Sequence, residues 1–324
     1  MTEKPARIAL ALGSGGARGY AHIGVINELQ ERGHQIVSVA GSSMGALVGG
    51  VFGAGQLDGF TDWVLGLSQG AVLRQVDPSL SRKGVIRAER VLARMAEFVG
   101  ERRIEDLPIQ FTAVAVDLLT GREVWLDHGP LDRAIRASIS IPGVITPAAV
   151  NGRLLVDGGV LNPVPVAPVA ACHADLLVAV SLHGPHTRDP AAAPARESSD
   201  RRPAAEWWEH FRASAAEVLS SDTVAALAPR LRLQRTGATP SPQADDIDSR
   251  SLPSVGMLEV LSLSLDASQS ALTRYSLAAH VPDVLVTVPK DACRTADFHK
   301  AAELIDLGRD LARQALNQAH LVSA

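Results

Sequence analysis

Gly41-Ser42-Ser43-Met44-Gly45 is the stretch of this chain best suited to chemistry, because it sets a serine in a five-residue turn between two apolar runs, Gln35 to Ala40 and Ala46 to Phe52. Strand, turn and helix in that order are what a G-x-S-x-G nucleophile elbow requires. The strained turn lifts the serine oxygen clear of the sheet, and flanking glycines let neighbouring backbone pass close. Ser43 is the candidate nucleophile, with Gly41 and Gly45 as the motif glycines. The pentapeptide by itself is a common turn, so its context carries the reading.

An attacking serine needs a proton acceptor and a home for developing negative charge. Leu154-Leu155-Val156-Asp157-Gly158-Gly159 reads as an apolar strand delivering Asp157 at its carboxyl end, before two glycines. An aspartate so placed is, taken alone, a turn former or helix cap more readily than a base. It lies far along the chain from Ser43, so only a fold can bring the two together.

The third element is Gly13-Ser14-Gly15-Gly16-Ala17-Arg18-Gly19, between a buried strand, Arg7 to Leu12, and a helix from about Tyr20 to Arg32. Consecutive glycines expose backbone N–H groups and a following helix N-terminus adds a positive dipole, so Gly15 and Gly16 are candidate oxyanion donors. For Arg18 three readings stand: it fixes the loop, draws in an anionic head group, or makes a surface salt bridge. A dinucleotide site fits poorly. Counting G-x-G-x-x-G from Gly13 puts Arg18 at the third glycine, and counting back from Gly19 puts Ser14 at the first. The acidic residue expected at the end of the second strand is also missing, Val39, Gly41 and Ser43 standing there instead.

The elements that must position these residues follow from hydrophobic patterning. Ile23, Ile26 and Leu29 stripe the first helix, and Gln35 to Ala40 is the second strand, carrying Ser43 at its end. Leu57 to Val99 reads as helical segments broken at Asp77-Pro78 and Lys83-Gly84, and Ile109 to Val116 and Glu123 to Leu126 as a strand pair around a glycine turn. Leu131 to Ser138 is a short helix, Ala167 to Cys172 another, and Leu176 to Ser181 a buried strand. His186 to Pro203 and Thr236 to Ser251 are polar, Pro-containing loops around a helix, Ala204 to Leu227, whose stripe includes Trp208. A helix Val255 to Ala279, a strand Val284 to Val288 and a closing helix from Asp297 to about Gln318 complete the chain.

At 324 residues the chain suffices for one large α/β domain or two ordinary ones, and 46% hydrophobic with 20% charged residues is a globular composition. Lys plus Arg 31 against Asp plus Glu 35 gives a net charge of −4, which argues against a nucleic-acid partner. The short polar start and the lack of an apolar run of about 18 residues lead us to expect a cytoplasmic protein with no secretory signal or spanning helix. Cys172 and Cys293 match no zinc or CxxC pattern and read as small core residues.

Taken together, the Gly-Gly-x-Arg-Gly loop, the G-x-S-x-G turn and Asp-Gly-Gly, each after a strand and in this order, resemble the patatin-like phospholipase family over about Ile8 to Ser181. The bacterial members and the neuropathy-target-esterase branch are similar through LGSGGARGYAHIGV, GSSMG, Ala137 to Gly143 and DGG. Ser14 departs from the glycine of many relatives, which leaves the N–H groups of Gly15 and Gly16 usable.

The resemblance implies a three-layer α/β/α fold with a mostly parallel central sheet, one domain over 1–324 with the motifs inside 8–181 and 182–324 completing it. It also implies a Ser43–Asp157 dyad, Gly15 and Gly16 as oxyanion hole, Arg18 as loop or anion support, and Gly158 and Gly159 as motif glycines. The substrates it implies are acyl lipids, including phospholipids, lysophospholipids and neutral esters. No metal or other cofactor is needed, and membrane contact would be peripheral. A free aspartate near pKa ~3.9 is a weak base for an alcohol, so the site must raise it by burial.

Two rivals remain. A Ser-Asp-His α/β-hydrolase would use His280 or His299, but only one strand precedes the elbow strand and the glycine loop is not of the HGGG type. His22 and His299 read better as packed or capping residues. The other rival is a non-catalytic lipid-binding or regulatory protein of the same fold.

Overall fold

The structure, a computed structural model, describes residues 5–68, 70, 89–142, 144–186 and 257–323. In chain order its elements are β1 (Arg7–Leu12), α1 (Ala21–Glu31), β2 (Gln35–Ser42), α2 (Met44–Gly53), α3 (Leu57–Leu65), α4 (Glu89–Val99), β3 (Gln110–Asp117) and β4 (Arg122–Leu126). There follow α5 (Leu131–Ser138), β5 (Ala148–Val150), β6 (Arg153–Asp157), α6 (Ala167–Ala170), β7 (Leu176–Gly184), α7 (Met257–Ala279), β8 (Val284–Pro289) and α8 (Ala301–Ser323). All eight strands join one sheet, in which β8, β7, β1, β2 and β3 pair in parallel, while β4 and β6 pair antiparallel with β3 and β5 pairs antiparallel with β6. The fold is thus α/β with a mostly parallel central sheet.

Alternation along the strands gives the sheet two unlike faces. Ile8, Leu10, Leu12, Val39, Val178 and Val180 point to one side, where they form a single core with Ile23, Ile26 and Leu29 of α1, Val48 of α2 and Leu304 and Leu316 of α8. Ala9, Ala11, Ala40 and Ala179 point to the other, against Val164, Val166, Val169 and Leu277 of α7. Helices cover both faces, which is the usual fate of parallel strands joined by crossovers.

The register at β3 decides where the site forms. One edge of β3 is taken by β4 over Ala113 to Asp117. The opposite edge is shared: β2 pairs along Gln110 to Val114, and β6 runs in from the other direction along Asp117 to Ala115. Ser42 lies opposite Val114 and Asp157 opposite Ala115, so the carboxyl ends of β2 and β6 meet end to end at adjacent residues of one strand.

Several boundaries shift from their sequence expectation. β2 runs on to Ser42 and β7 to Gly184 because parallel partners extend them. α8 starts at Ala301, since Asp297 turns back to accept the Arg294 N–H. The helix expected from Ala167 stops at Ala170, and β5, which the sequence reading lacks, pairs with β6. The expected breaks at Asp77-Pro78 and Lys83-Gly84, the helix Ala204 to Leu227, the loop Thr236 to Ser251 and nearly all of the loop His186 to Pro203 lie outside the described residues. Cys172 is half-buried and Cys293 buried, both as free thiols, and burial pushes Cys293 up to about 11. Among the described residues no helix is long and apolar enough to cross a membrane.

Candidate active site

Ser43 sits between β2 and α2 with φ 56° and ψ −121°, a conformation an L-residue rarely holds. The glycines on either side make it attainable. A Cβ on Gly45 would fall 2.0 Å from the Leu12 carbonyl oxygen, and one on Gly41 would fall 2.3 Å from the Ala46 nitrogen. Two further contacts hold the turn. The Ser43 N–H donates to Ser138 Oγ at 3.0 Å, and that hydroxyl donates to the Val114 carbonyl at 2.6 Å. Ser42 Oγ donates to the Asn162 carbonyl at 2.6 Å. The turn therefore rests on α5, β3 and the segment after β6, and α2 directs its positive end at Ser43.

Asp157 ends β6, where its own N–H donates to the Ser140 carbonyl at 3.0 Å. Ser138 and Ser140 thus hold the serine and the aspartate from one short stretch, a role that sequence reading did not assign. Asp157 Oδ1 accepts the Gly159 N–H at 2.7 Å, and Oδ2 is buried with no hydrogen bond inside ordinary limits. Burial pushes the Asp157 carboxyl up to about 6, while the Ser43 hydroxyl and the Gly159 N–H each pull it back down. The hydroxyl thus faces the carboxylate and acts on it electrostatically without a closed bond. Catalytic hydrogen bonds commonly tighten only once substrate is bound. Ser43 and Asp157 are 5% and 4% exposed, so both sit shielded at the carboxyl ends of their strands.

The glycine loop after β1 is pinned from three sides. Gly13 N–H donates to Val180, Ser14 N–H to Pro163 and Ala17 N–H to Thr295. The N–H groups of Gly15 and Gly16 lie between these and take no carbonyl among the described residues. His22, fully buried, donates from Nε2 to the Gly13 carbonyl at 2.8 Å, and burial lowers it to about 4, so it stays neutral. It is a packed loop anchor, as its sequence context suggests.

Arg18 is 4% exposed, so its ion pair with the half-buried Asp266 is shielded on the arginine side. Its Nε donates to the Gly15 carbonyl at 3.3 Å, Nη1 to the Lys290 carbonyl at 3.2 Å, and Nη2 lies 3.7 Å from Asp266. Of the three sequence readings, these contacts match loop fixing; a guanidinium spent on internal partners has little left for a head group. Because a trans peptide sets C=O and N–H in opposite directions, holding the Gly15 carbonyl also aims the Gly16 N–H. Gly158 and Gly159 complete the cluster: a Cβ on Gly158 would meet the Val114 carbonyl at 2.2 Å, and one on Gly159 would meet Ser14 Oγ at 2.6 Å. The Asp157 turn and the glycine loop are therefore in contact.

His280 is exposed and His299 half-buried, and neither hydrogen-bonds Ser43 or Asp157. Among the described residues no three His, Cys, Asp or Glu side chains gather as metal ligands.

A parallel sheet presenting a serine on a strained strand-to-helix turn, with a buried carboxylate facing it, is the arrangement of a nucleophilic hydrolase. The model of the family described as patatin-like phospholipase matches residues 10–170. An uncharacterized NTE family protein of Mycobacterium bovis is 48% identical, the match covering 96% of this chain and 91% of that one, and its Mycobacterium tuberculosis counterpart matches equally. Lysophospholipase nte1 of Emericella nidulans is 28% identical over 54% of this chain and 12% of its own. Among solved structures, VipD from Legionella pneumophila aligns with a TM-score of 0.41 at 15% identity, covering 98% of this chain and 67% of that one. The chain belongs to the patatin-like phospholipase family, in its NTE branch, a family of lipid hydrolases.

Proposed function

We propose that this protein is a serine acyl hydrolase that cleaves carboxylic esters of phospholipids or lysophospholipids through a Ser43–Asp157 dyad. The observation that carries this reading is the end-to-end meeting of β2 and β6 on one edge of β3, which sets a strained serine before a buried carboxylate. Ser43 Oγ attacks the ester carbonyl carbon as Asp157 takes its proton. The carbonyl oxygen gathers negative charge beside the Gly15 and Gly16 N–H groups and the positive end of α2, where one such donor is worth about 2.7 to 4 kcal/mol of barrier. Collapse expels the alcohol, which takes the proton back from Asp157, and leaves an acyl group on Ser43. Water then gives a proton to Asp157 and attacks the acyl carbon; collapse expels Ser43 Oγ, which takes that proton back from Asp157, and releases the carboxylic acid.

An ordinary aspartate is too weak a base for this. Burial of Asp157 supplies part of the difference, since a carboxyl near 6 is ionised at neutral pH yet far more basic than one near 3.8. The absence of any histidine hydrogen-bonded to either residue, among those described, supports the dyad over a triad. Exposed Leu118 and Leu119 crown the β3–β4 turn, beyond the Ser43 end of the sheet, with Asp117 Oδ1 accepting the Leu119 N–H at 3.0 Å. They support peripheral contact with a lipid surface.

Intact-protein mass spectrometry after incubation with a fluorophosphonate tests the assignment. One adduct, mapped to Ser43 and lost in Ser43→Ala, is expected. Full labelling or full esterase activity in folded Ser43→Ala would sink it, and no adduct on the folded wild type would favour a lipid-binding protein without turnover.

A further inference from the structure

The described chain beyond residue 186 contains one element that touches both halves of the site, the helix α7, and it does so with polar side chains. Asp266 and Gln269, three residues apart, share one helix face. Asp266 Oδ1 lies 3.7 Å from Arg18 Nη2, and Oδ2 accepts from Lys290 Nζ at 3.0 Å. Burial works against its ionisation, but Lys290 and then Arg18 outweigh that and hold Asp266 below the usual carboxylate range. Gln269 Nε2 donates to the Gly159 carbonyl at 3.0 Å, and its Oε1 accepts from His183 Nε2 at 3.1 Å. Both ends of the amide are thus used, and the reversed amide would set oxygen against the Gly159 oxygen.

From these contacts we infer that Asp266 and Gln269 are positioning residues that lock the oxyanion loop and the base turn to a common support. The loop is held through Arg18, which grips the Gly15 carbonyl and so aims the Gly16 N–H. The turn is held through Gly159, whose carbonyl binds Gln269 and whose N–H binds Asp157. One helix turn thereby fixes the distance between the group that stabilises the oxyanion and the group that moves the proton. The inference rests on the dyad reading above, and it predicts a fault in rate rather than in binding.

Gln269→Ala is the variant of choice, because Asp266→Asn leaves Arg18 buried without its counter-charge and endangers the fold. The measurements are hydrolysis of p-nitrophenyl butyrate and the rate of fluorophosphonate labelling, both per active site titrated, with circular dichroism as the check on folding. For Gln269→Ala, kcat and the labelling rate are expected to fall about 10- to 100-fold with KM within about twofold, the usual scale for misplacement by about 1 Å. Asp157 feels burial, the Ser43 hydroxyl and the Gly159 N–H, while Arg18, Lys290 and Asp266 are paired with one another. Loosening the Gly159 turn should therefore raise the midpoint of the acid limb of kcat/KM, which a merely structural loss would leave in place. Gln269→Asn, whose shorter amide retains the donor, should recover part of the rate. An unchanged rate per titrated site, or a lower rate with an unmoved acid limb, would overturn the inference. Failure of the dyad reading looks different, since the wild type itself would then carry no adduct at Ser43.

Discussion

The two faces of the sheet are made by the same strands and do different work. Under α1, α2 and α8 the inward residues are Ile8, Leu10, Leu12, Val39, Val178 and Val180, packed on aliphatic helix residues in one continuous core. On the opposite face the strands offer alanines, and the inward side of α7 carries Asp266, Gln269, Thr273 and Ser276, each with a hydrogen bond or ion pair. Branched aliphatics remove large apolar area from water and so hold the fold together. Alanines bury little, but they let helix and loop backbone come close enough for short directional contacts. One face therefore stabilises, and the other sets geometry.

Breaking the geometry at the reacting atoms should have the largest effect. Ser43→Ala and Asp157→Asn are each expected to lower ester hydrolysis by about 10³-fold or more while circular dichroism stays native. Next, Leu10→Ala on the aliphatic face should cost about 2–5 kcal/mol of stability, read by urea unfolding, and leave kcat per titrated site unchanged. A large fall in kcat there would erase the distinction between the faces.

At Asp157 the charge that the proposed dyad requires comes at the expense of stability. Its carboxyl is raised from 3.8 to about 6, so the protonated form is favoured in the folded chain. The group's contribution to stability is full below pH 3.8 and is lost as pH rises through about 6. Above that, the buried charge costs roughly 3 kcal/mol. Inactive Asp157→Asn should therefore be more stable than wild type at pH 8, by up to that amount, with the gain vanishing near pH 4. Equal stability at both pH values would mean that Asp157 is not strained by its burial. Activity has the opposite sign: kcat/KM should climb as pH rises through about 6 and then level, because the base must be ionised. Smallest of all, His280→Ala is expected to stay within about twofold of wild type in ester hydrolysis, and loss of activity in that folded variant would revive the triad.

Much of the site could be read from the chain because it depends on short-range sterics. Glycines at 41 and 45 are demanded by backbone a few residues away or on the next strand, and the apolar runs around them name strand and helix. The turn after Val156 was legible for the same reason. What escaped was whatever depended on distant partners. Ser138 and Ser140 look like ordinary residues at a helix end, yet they hold Ser43 and Asp157. Asp266 and Gln269 sit in a helix that reads only as long. A signal did exist there: polar residues at 266, 269, 270, 273 and 276 fall on one face, while Leu263 and Tyr275 are exposed, the reverse of an ordinary surface helix.

The elbow, the glycine loop, the Asp-Gly-Gly turn and the succession of the other strands and helices, β5 aside, were legible in the chain alone, since each follows from local backbone geometry and the period of apolar residues. That Ser43 and Asp157 meet follows from assembly of the sheet, because it depends on β2 and β6 sharing one edge of β3. Tertiary packing also sets Arg18 to grip the loop from inside and, through burial, raises the Asp157 carboxyl. Burial and strand register arise from contacts between segments far apart in the chain, and no local pattern encodes them.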